Sequence, residues 1–262
     1  MSLTRRYHVD TTKKLPTVLS FCSGYGGIER GLDLAGVEHE VLAYVEIEAF
    51  AIANLVAKME EGELDAAPIY TDLKTFPSEV FRGAVDIITG GYPCQPFSAA
   101  GKRAGAADPR HLWPFIREHV RSIRPARTFF ENVYGHTSLG LSTVLSDMEE
   151  DGYSGTWGVF SASEVGAPHQ RKRVFIMGNT DSSLSERGGL PSRVDTELDE
   201  PDGRGTQSRE PASQQWPCEP SVARVVDGSP DKVDRLRLLG NGVVPQTAAL
   251  AWTTLNERQL ST

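Results

Sequence analysis

Three features of the chain predict an α/β fold, doubly wound about a mostly parallel sheet. Strands alternate with helices over residues 16–150, a glycine-rich turn directly follows the first strand, and carboxylates stand at the ends of the next two. The length, 262 residues, suffices for one core with a small appendage. In order, residues 16–22 (PTVLSFC) are an apolar run stopped by Ser23-Gly24-Tyr25-Gly26-Gly27, which reads as a buried strand ending in a turn. Residues 28–34 have helical character and stop near Gly36; 41–47 read as a strand and 49–59 as a helix with alanine and leucine on one side. A short run, 68–71, leads to Asp72, and 85–89 form a clear strand bounded by Gly90-Gly91. A helix over 111–123, a strand over 127–130 and a helix over 138–149 follow, and 153–164 and 174–177 add two late strands to the same sheet.

The composition changes at Asn179. From there to about Glu219 the chain is rich in Ser, Gly, Pro and charge and nearly lacks large apolar residues, so it cannot build a core of its own. Apolar periodicity returns at Val222, with a helix predicted over 234–239, a Gly240-Asn241-Gly242 stop and a last helix over 246–255. Residues 1–178 and 221–262 are therefore expected to form one body, interrupted by a small irregular insertion over 179–220.

Composition narrows the class. Basic residues number 27 and acidic ones 35, a net charge of −8, and 39% of the chain is hydrophobic. No apolar run approaches the ~20 residues of a spanning helix. The N-terminal MSLTRRYHVDTTKKLP lacks the apolar stretch of a secretory leader. Cys22, Cys94 and Cys218 are far apart and show no CxxC spacing, which speaks against a disulfide framework or a structural metal. A cytoplasmic protein without membrane association is expected. With this acidic balance, a nucleic-acid ligand would require arginines and lysines gathered on one face.

The chemistry-bearing residues cluster at strand ends. The turn Ser23–Gly27 lets backbone approach a ligand, but G-x-G-G is not the dinucleotide fingerprint, and no lysine follows to reach a terminal phosphate. Glu46, about 20 residues on, can accept both hydrogen bonds of a ribose diol, and Asp72 can accept from the amino group of an adenine. Glu48 is a neighbouring alternative to Glu46. Together they point to an adenosyl ligand without a phosphate chain. In GGYPCQPFS, Cys94 sits between prolines at a sheet rim, where a nucleophile can act, although a lone cysteine is commonly a small buried hydrophobe. The following stretch carries Lys102 and Arg103 and reads as a basic loop able to close on an anion. Glu131, beside the apolar Phe129-Phe130, is a candidate proton donor. Arg171 and Arg173 point the same way if strand pairing begins there, and two guanidinium forks suit a phosphate and a base carbonyl.

In this order the blocks SFCSGYGGIERGL, YVEIEAFA, TDLKTF, DIITGGYPCQPFSAAGKR, FFENV, GAPHQRKRVFIMG and LLGNGVVPQTA closely resemble the DNA (cytosine-5) methyltransferases. The resemblance implies the doubly wound sheet of S-adenosylmethionine-dependent methyltransferases. It also implies methyl transfer from S-adenosylmethionine, leaving S-adenosylhomocysteine, to C5 of a cytosine flipped out of duplex DNA. Carried over residue by residue, Cys94 would attack C6, Glu131 would bind N3 and the exocyclic amine, Arg173 would hold O2, and Arg171 would orient the catalytic loop. Cys22, Ser23, Gly24, Gly27, Glu46, Ile47, Asp72, Leu73, Pro93, Asn241 and Val243 would contact the cofactor, and Ser98, Lys102 and Arg103 the DNA. No metal is implied.

The chain departs from the family pattern in three places. Cys22 stands where phenylalanine is frequent, and His169 where glutamine is. The interval that holds the family's target-recognition region is short and acidic. Double-stranded DNA is the expected partner, a restriction endonuclease a candidate one, a monomer the expected state and a bacterium or phage the expected source. The alternatives are a tRNA cytosine-5 methyltransferase, whose Cys-Phe-Thr insertion is absent from residues 179–230, and a DNA-binding relative that needs a partner for specificity. A thymidylate synthase-like enzyme would show Pro-Cys-His rather than Pro-Cys-Gln.

Overall fold

The computed structural model describes residues 15–93, 112–180 and 242–261. Cys94, Ser98, Lys102, Arg103, Asn241, the helix expected over 234–239 and the insertion from residue 181 onward lie outside the described residues.

The strands are β1 (Thr17–Phe21), β2 (Glu40–Val45), β3 (Ile69–Tyr70), β4 (Ile87–Gly91), β5 (Arg127–Val133), β6 (Tyr153–Phe160) and β7 (Arg173–Thr180). They form one sheet in the order β3-β2-β1-β4-β5-β7-β6. β1 to β5 pair in parallel, whereas β7 runs antiparallel between β5 and β6. The continuous apolar runs of β1 and β4 have the composition of strands buried on both faces.

Helices α1 (Gly27–Leu34), α2 (Ala49–Glu60) and α6 (Pro245–Ser261) supply Ile28, Leu32, Leu55, Ala248, Ala251, Trp252 and Leu255 to one core layer, with Val18, Phe129 and Phe175 of the sheet. Helices α3 (Trp113–Ile123) and α5 (Leu141–Glu150) supply Ile116, Val120, Ile123, Leu141, Val144 and Met148 to the other, against Leu19, Phe21, Ile88 and Phe130. The sheet is thus covered on both faces, as a doubly wound fold requires. The C-terminal segment returns to this body, with Trp252 edge-on to Phe129 at 5.1 Å. α1 and α6 touch because α1 carries glycines there: a Cβ on Gly31 would lie 2.6 Å from that of Ala248.

The structure corrects several boundaries. Strand β6 ends at Phe160, and the remainder of the expected 153–164 strand is a 3-10 turn (Ala162–Val165) with a Ser161/Glu164 capping box. The 138–149 helix divides at Gly140 into α4 (His136–Leu139) and α5. β7 continues to Thr180, so the boundary expected at 178/179 falls inside a strand. Buried Asn179 there accepts from Arg127 Nε at 2.6 Å.

Candidate active site

Strand order reverses between β1 and β4, the position where open α/β sheets bind ligands beyond their strand ends. There the chain leaves β1 through Cys22 (φ 49°) and Gly24 (φ 56°). Among the described residues, a side chain on Gly24 would meet nothing within 4 Å. Its geometry is set by Glu46, just past β2. One carboxylate oxygen accepts from the Gly24 N–H at 2.7 Å and the other from the Glu48 N–H at 2.9 Å. Two of its roughly four acceptor positions are so used, which leaves acceptor capacity for a diol. Burial, followed by the charge of Glu46, pushes the Cys22 thiol up to about 12, so this cysteine stays protonated and is no nucleophile.

Beside Glu46, Ile47 is 70% exposed, an apolar surface at the mouth of the crevice. Past β3, Asp72 caps a short 3-10 turn (Leu73–Thr75) by accepting from the Lys74 N–H at 2.9 Å. Gly27 lies where a Cβ would fall 2.5 Å from the Val243 carbonyl oxygen. Ser23 Oγ donates to Ser20 O at 3.0 Å and closes the first turn.

Glu131 lies within β5, not after it: the β4 ladder reaches it at Gly91↔Glu131, and the antiparallel partner β7 extends the pairing to Val133. In that register Glu131 faces Phe175 and Val133 faces Arg173, so all four share one face of the sheet. Arg173 Nε reaches Glu131 Oε1 at 2.8 Å across the diagonal, as an ion pair off the axis of a hydrogen bond. Only 5% of Glu131 is exposed. Burial raises its carboxyl from an ordinary 4.5 to about 7, against the downward pull of Arg173 and Arg171.

Arg171 does not share a strand with Arg173, which corrects the expected alternation. Its φ is 36°, β7 begins only at Arg173, and its Nη2 donates to Gly242 O at 2.5 Å. Two of the three described non-glycine residues with positive φ, Cys22 and Arg171, are therefore at this site, where backbone strain commonly marks function.

Gly91, the last residue of β4, faces a narrow cradle. A Cβ there would lie 3.4 Å from Glu131 Oε2, 3.6 Å from Val243 Cγ2 and 3.9 Å from Cys22 O. The acid on β5, the glycine turn after β1 and the C-terminal segment converge on that point.

Other residues that shape the site carried no sequence signal. Tyr25 donates its hydroxyl to Val243 O, and Lys58 Nζ donates to Tyr25 O at 3.0 Å while lying 4.7 Å over its ring. Asn132 Nδ2 donates to Tyr92 O at 3.0 Å, and the Tyr92 hydroxyl meets His136 Nε2 at 3.1 Å. Both contacts hold the exit of β4 just before Pro93. Each of these residues depends on a partner more than 30 positions away, which periodicity does not reveal.

A seven-stranded sheet of this order, with strand-end carboxylates and a glycine turn at its switch point, defines an open α/β protein with a crevice at the carboxyl ends of its parallel strands. The family model of C-5 cytosine-specific DNA methylase matches residues 17–214, and the chain belongs to that family. It is 32% identical over 165 residues to the Type II methyltransferase M.NgoMIV of Neisseria gonorrhoeae, covering 62% of this chain and 51% of that protein. It is 30% identical over 243 residues to M.CviJI of Paramecium bursaria Chlorella virus IL3A, covering 90% and 58%. The chain spans about half the length of these two relatives and little more than a third of others, such as M.BanI of Aneurinibacillus aneurinilyticus at 36%. Spodoptera frugiperda DNMT2 superimposes with a TM-score of 0.53 at 23% identity over 63% of this chain and 50% of its own. The Entamoeba histolytica methyltransferase EhMeth gives 0.54 at 19%, over 64% and 53%. These likenesses bear out the fold class. Methyltransferases of this family use S-adenosylmethionine.

Proposed function

We propose that this chain methylates C5 of cytosine in double-stranded DNA, with S-adenosylmethionine as donor. The observation that carries the reading is the ion pair of buried Glu131 with half-buried Arg173, set against Gly91 at the exit of the strand that runs into Pro93-Cys94. The Gly91 cradle and the spare acceptor capacity of Glu46 fit the cofactor. Glu46 would hold the ribose, Asp72 the adenine amino group, Ile47 and Leu73 its faces, and Cys22–Gly24, Gly27, Pro93, Asn241 and Val243 the remainder. When bound, S-adenosylmethionine supplies an electrophilic methyl group.

The chain's own residues prepare the acceptor. C6 of cytosine is stacked inside a duplex, so the base must leave the helix to be reached. The Cys94 thiolate adds to C6, and the displaced electron pair makes C5 nucleophilic. Glu131, whose carboxyl is half-protonated near pH 7, gives or shares a proton at N3 as charge develops there. Arg173 holds Glu131 through Nε and donates from Nη1 to Lys172 O at 3.0 Å, and its Nη2 would serve O2, while Arg171 ties the C-terminal segment to the site. N3 returns its proton to Glu131, and transfer of the C5 proton to solvent water re-forms the C5–C6 double bond as the C6–S bond breaks and the cysteine leaves as thiolate. Ser98, Lys102 and Arg103, in the loop after Cys94, would meet the DNA phosphates. The protein would act as a monomer in the cytoplasm of a bacterium or a phage-infected cell. The Type II naming of its relatives supports a restriction endonuclease as partner. Among the described residues no helix is long and apolar enough to cross a membrane.

Duplex DNA carrying 5-fluorocytosine tests the mechanism, because fluorine cannot leave as a proton. With S-adenosylmethionine, the wild-type protein should form a complex that survives denaturing electrophoresis, and Cys94→Ser should not. Cys94→Ser should still bind S-adenosylhomocysteine. Methylation by Cys94→Ser, or turnover of cytosine without a trapped complex on the fluorinated base, would overturn the reading. tRNA offered as acceptor in the same assay should stay unmethylated.

A further inference from the structure

We infer that His119 is a positioning residue for the adenine end of the cofactor, acting through the backbone of Leu73. This deepens the proposed function and rests on its assignment of Asp72 and Leu73 to the adenine.

His119 is on α3, on the face turned to the sheet, and is 6% exposed. Its Nε2 lies 2.7 Å from the carbonyl oxygen of Leu73. A carbonyl only accepts, so the imidazole proton is on Nε2 and the ring donates. Nδ1 has no hydrogen-bond partner among the described residues, which fits the neutral tautomer, and burial pushes the imidazole below its ordinary range. The same ring touches the other wall of the crevice. Phe21, the last residue of β1 before the Cys22–Gly24 turn, lies at 5.6 Å, and Phe76, which closes the Asp72 turn, lies edge-on at 5.6 Å. Phe21 and Phe76 also meet edge to face at 5.6 Å.

One imidazole therefore sets the separation between the glycine turn after β1 and the carboxylate turn after β3. The turn needs that support. β3 is only two residues long, and Asp72 and Leu73 follow it without a ladder to hold them. The Asp72 carboxylate caps its own turn through Lys74 N, so the direction in which it points is set by where Leu73 sits. The Leu73 carbonyl also accepts from the Phe76 N–H, but at 3.4 Å, so loss of the imidazole donor would leave it only that long bond and loosen the turn. A histidine on an apolar helix face reads from sequence as core, and nothing in the spacing marks it otherwise.

The test uses two substitutions. His119→Phe keeps ring and volume and removes the donor; His119→Gln places an amide N–H at the reach of Nε2. Titration calorimetry with S-adenosylhomocysteine and with 5′-methylthioadenosine, which share the adenosine end, should show His119→Phe binding both about 5- to 30-fold more weakly. His119→Gln should stay within about threefold of wild type. Amide exchange at residues 73–75 should quicken in His119→Phe only. In methylation assays, KM for the cofactor should rise while kcat and DNA affinity hold.

Undiminished affinity in His119→Phe would overturn the inference and leave the proposed function standing. Equal losses in both variants together with a lowered unfolding midpoint would also overturn it, since the role would then be packing. A wild-type protein that binds neither ligand would remove the cofactor reading itself, and this inference with it.

Discussion

Replacing Glu131 by glutamine should damage catalysis while stabilising the fold, with a pH dependence that the structure specifies. Glu131 is buried and its carboxyl titrates near 7 rather than 4.5, because desolvation outweighs the attraction of Arg173 at 2.8 Å and of Arg171 beyond it. A carboxyl raised on folding binds more protons in the native state than in the unfolded one. Its contribution to stability is complete below about pH 4.5 and is lost as pH rises through about 7. Each pH unit between the two values is worth about 1.4 kcal/mol, so the loss amounts to about 3 kcal/mol.

Glutamine keeps the shape and does not titrate. Every other group is common to both proteins, so the difference in unfolding free energy between variant and wild type isolates this carboxyl. Urea denaturation at pH 4.5, 6, 7 and 8.5 should show that difference moving in favour of Glu131→Gln by about 3 kcal/mol, most of it between pH 5 and 7. The kcat should fall roughly 10²- to 10⁴-fold, because the proton at N3 is no longer supplied, and DNA affinity should change far less. A difference flat across that range would show that Glu131 ionises as an ordinary carboxylate, and the assignment of a proton donor would fail. A rate and a DNA affinity that fell together would reduce Glu131 to a binding group.

Two further substitutions examine the frame of the site. Gly31→Ala would drive a methyl to 2.6 Å from the Ala248 Cβ and 2.9 Å from Pro245 O, so it should separate α1 from α6 and cost about 1–3 kcal/mol, read as a lowered urea midpoint; an unchanged midpoint would mean that the two helices do not pack this closely. Glu46→Gln would oppose an amide N–H₂ to one of the two backbone N–H groups that the carboxylate now accepts, Gly24 at 2.7 Å and Glu48 at 2.9 Å. Affinity for S-adenosylhomocysteine should drop at least about tenfold by calorimetry, and equal affinity would remove Glu46 from the cofactor site.

What the sequence made legible follows from range. The strand-helix alternation of residues 16–150, the glycine turn and Glu46 are local patterns; the turn and Glu46 stand where the reading placed them, and the alternation holds apart from the helix break at Gly140. The hairpin of β6 and β7 was legible as strands but not as a pair inserted antiparallel beside β5, since no local residue states a strand's partner. That pairing is also why Glu131 lies within a strand rather than at its end: read alone, a carboxylate after Phe129-Phe130 looks like a strand end, but the ladder from Arg127↔Asn179 to Val133↔Arg173 carries the strand past it. The alternation rule applied to Arg171 and Arg173 presumed extended backbone at both, and the φ of 36° at Arg171 breaks that premise. Tyr25, His119 and Asn132 act through partners distant in sequence, so their types alone resembled turn, core and strand-end residues.

The antiparallel placement of β7 has a chemical consequence. A parallel neighbour would need a crossover and would bring its amino-terminal end to the opposite edge of the sheet. Running antiparallel, β7 starts where β5 finishes, so the first residue of one strand stands at the carboxyl edge beside the last residues of the other. The guanidinium of Arg173 thereby arrives at the switch-point crevice without leaving the ladder, and the diagonal offset from Val133 to Glu131 matches the reach of a long side chain. Because both groups are set by backbone pairing in a sheet packed on Phe129, Phe175 and Trp252, the spacing of acid and base is as rigid as the core. A carboxyl retains its proton near neutrality only while it is kept from water, and the guanidinium, which pulls the other way, must stay at a fixed distance for the balance to hold. The sheet supplies that constraint, which a loop carrying either residue would not.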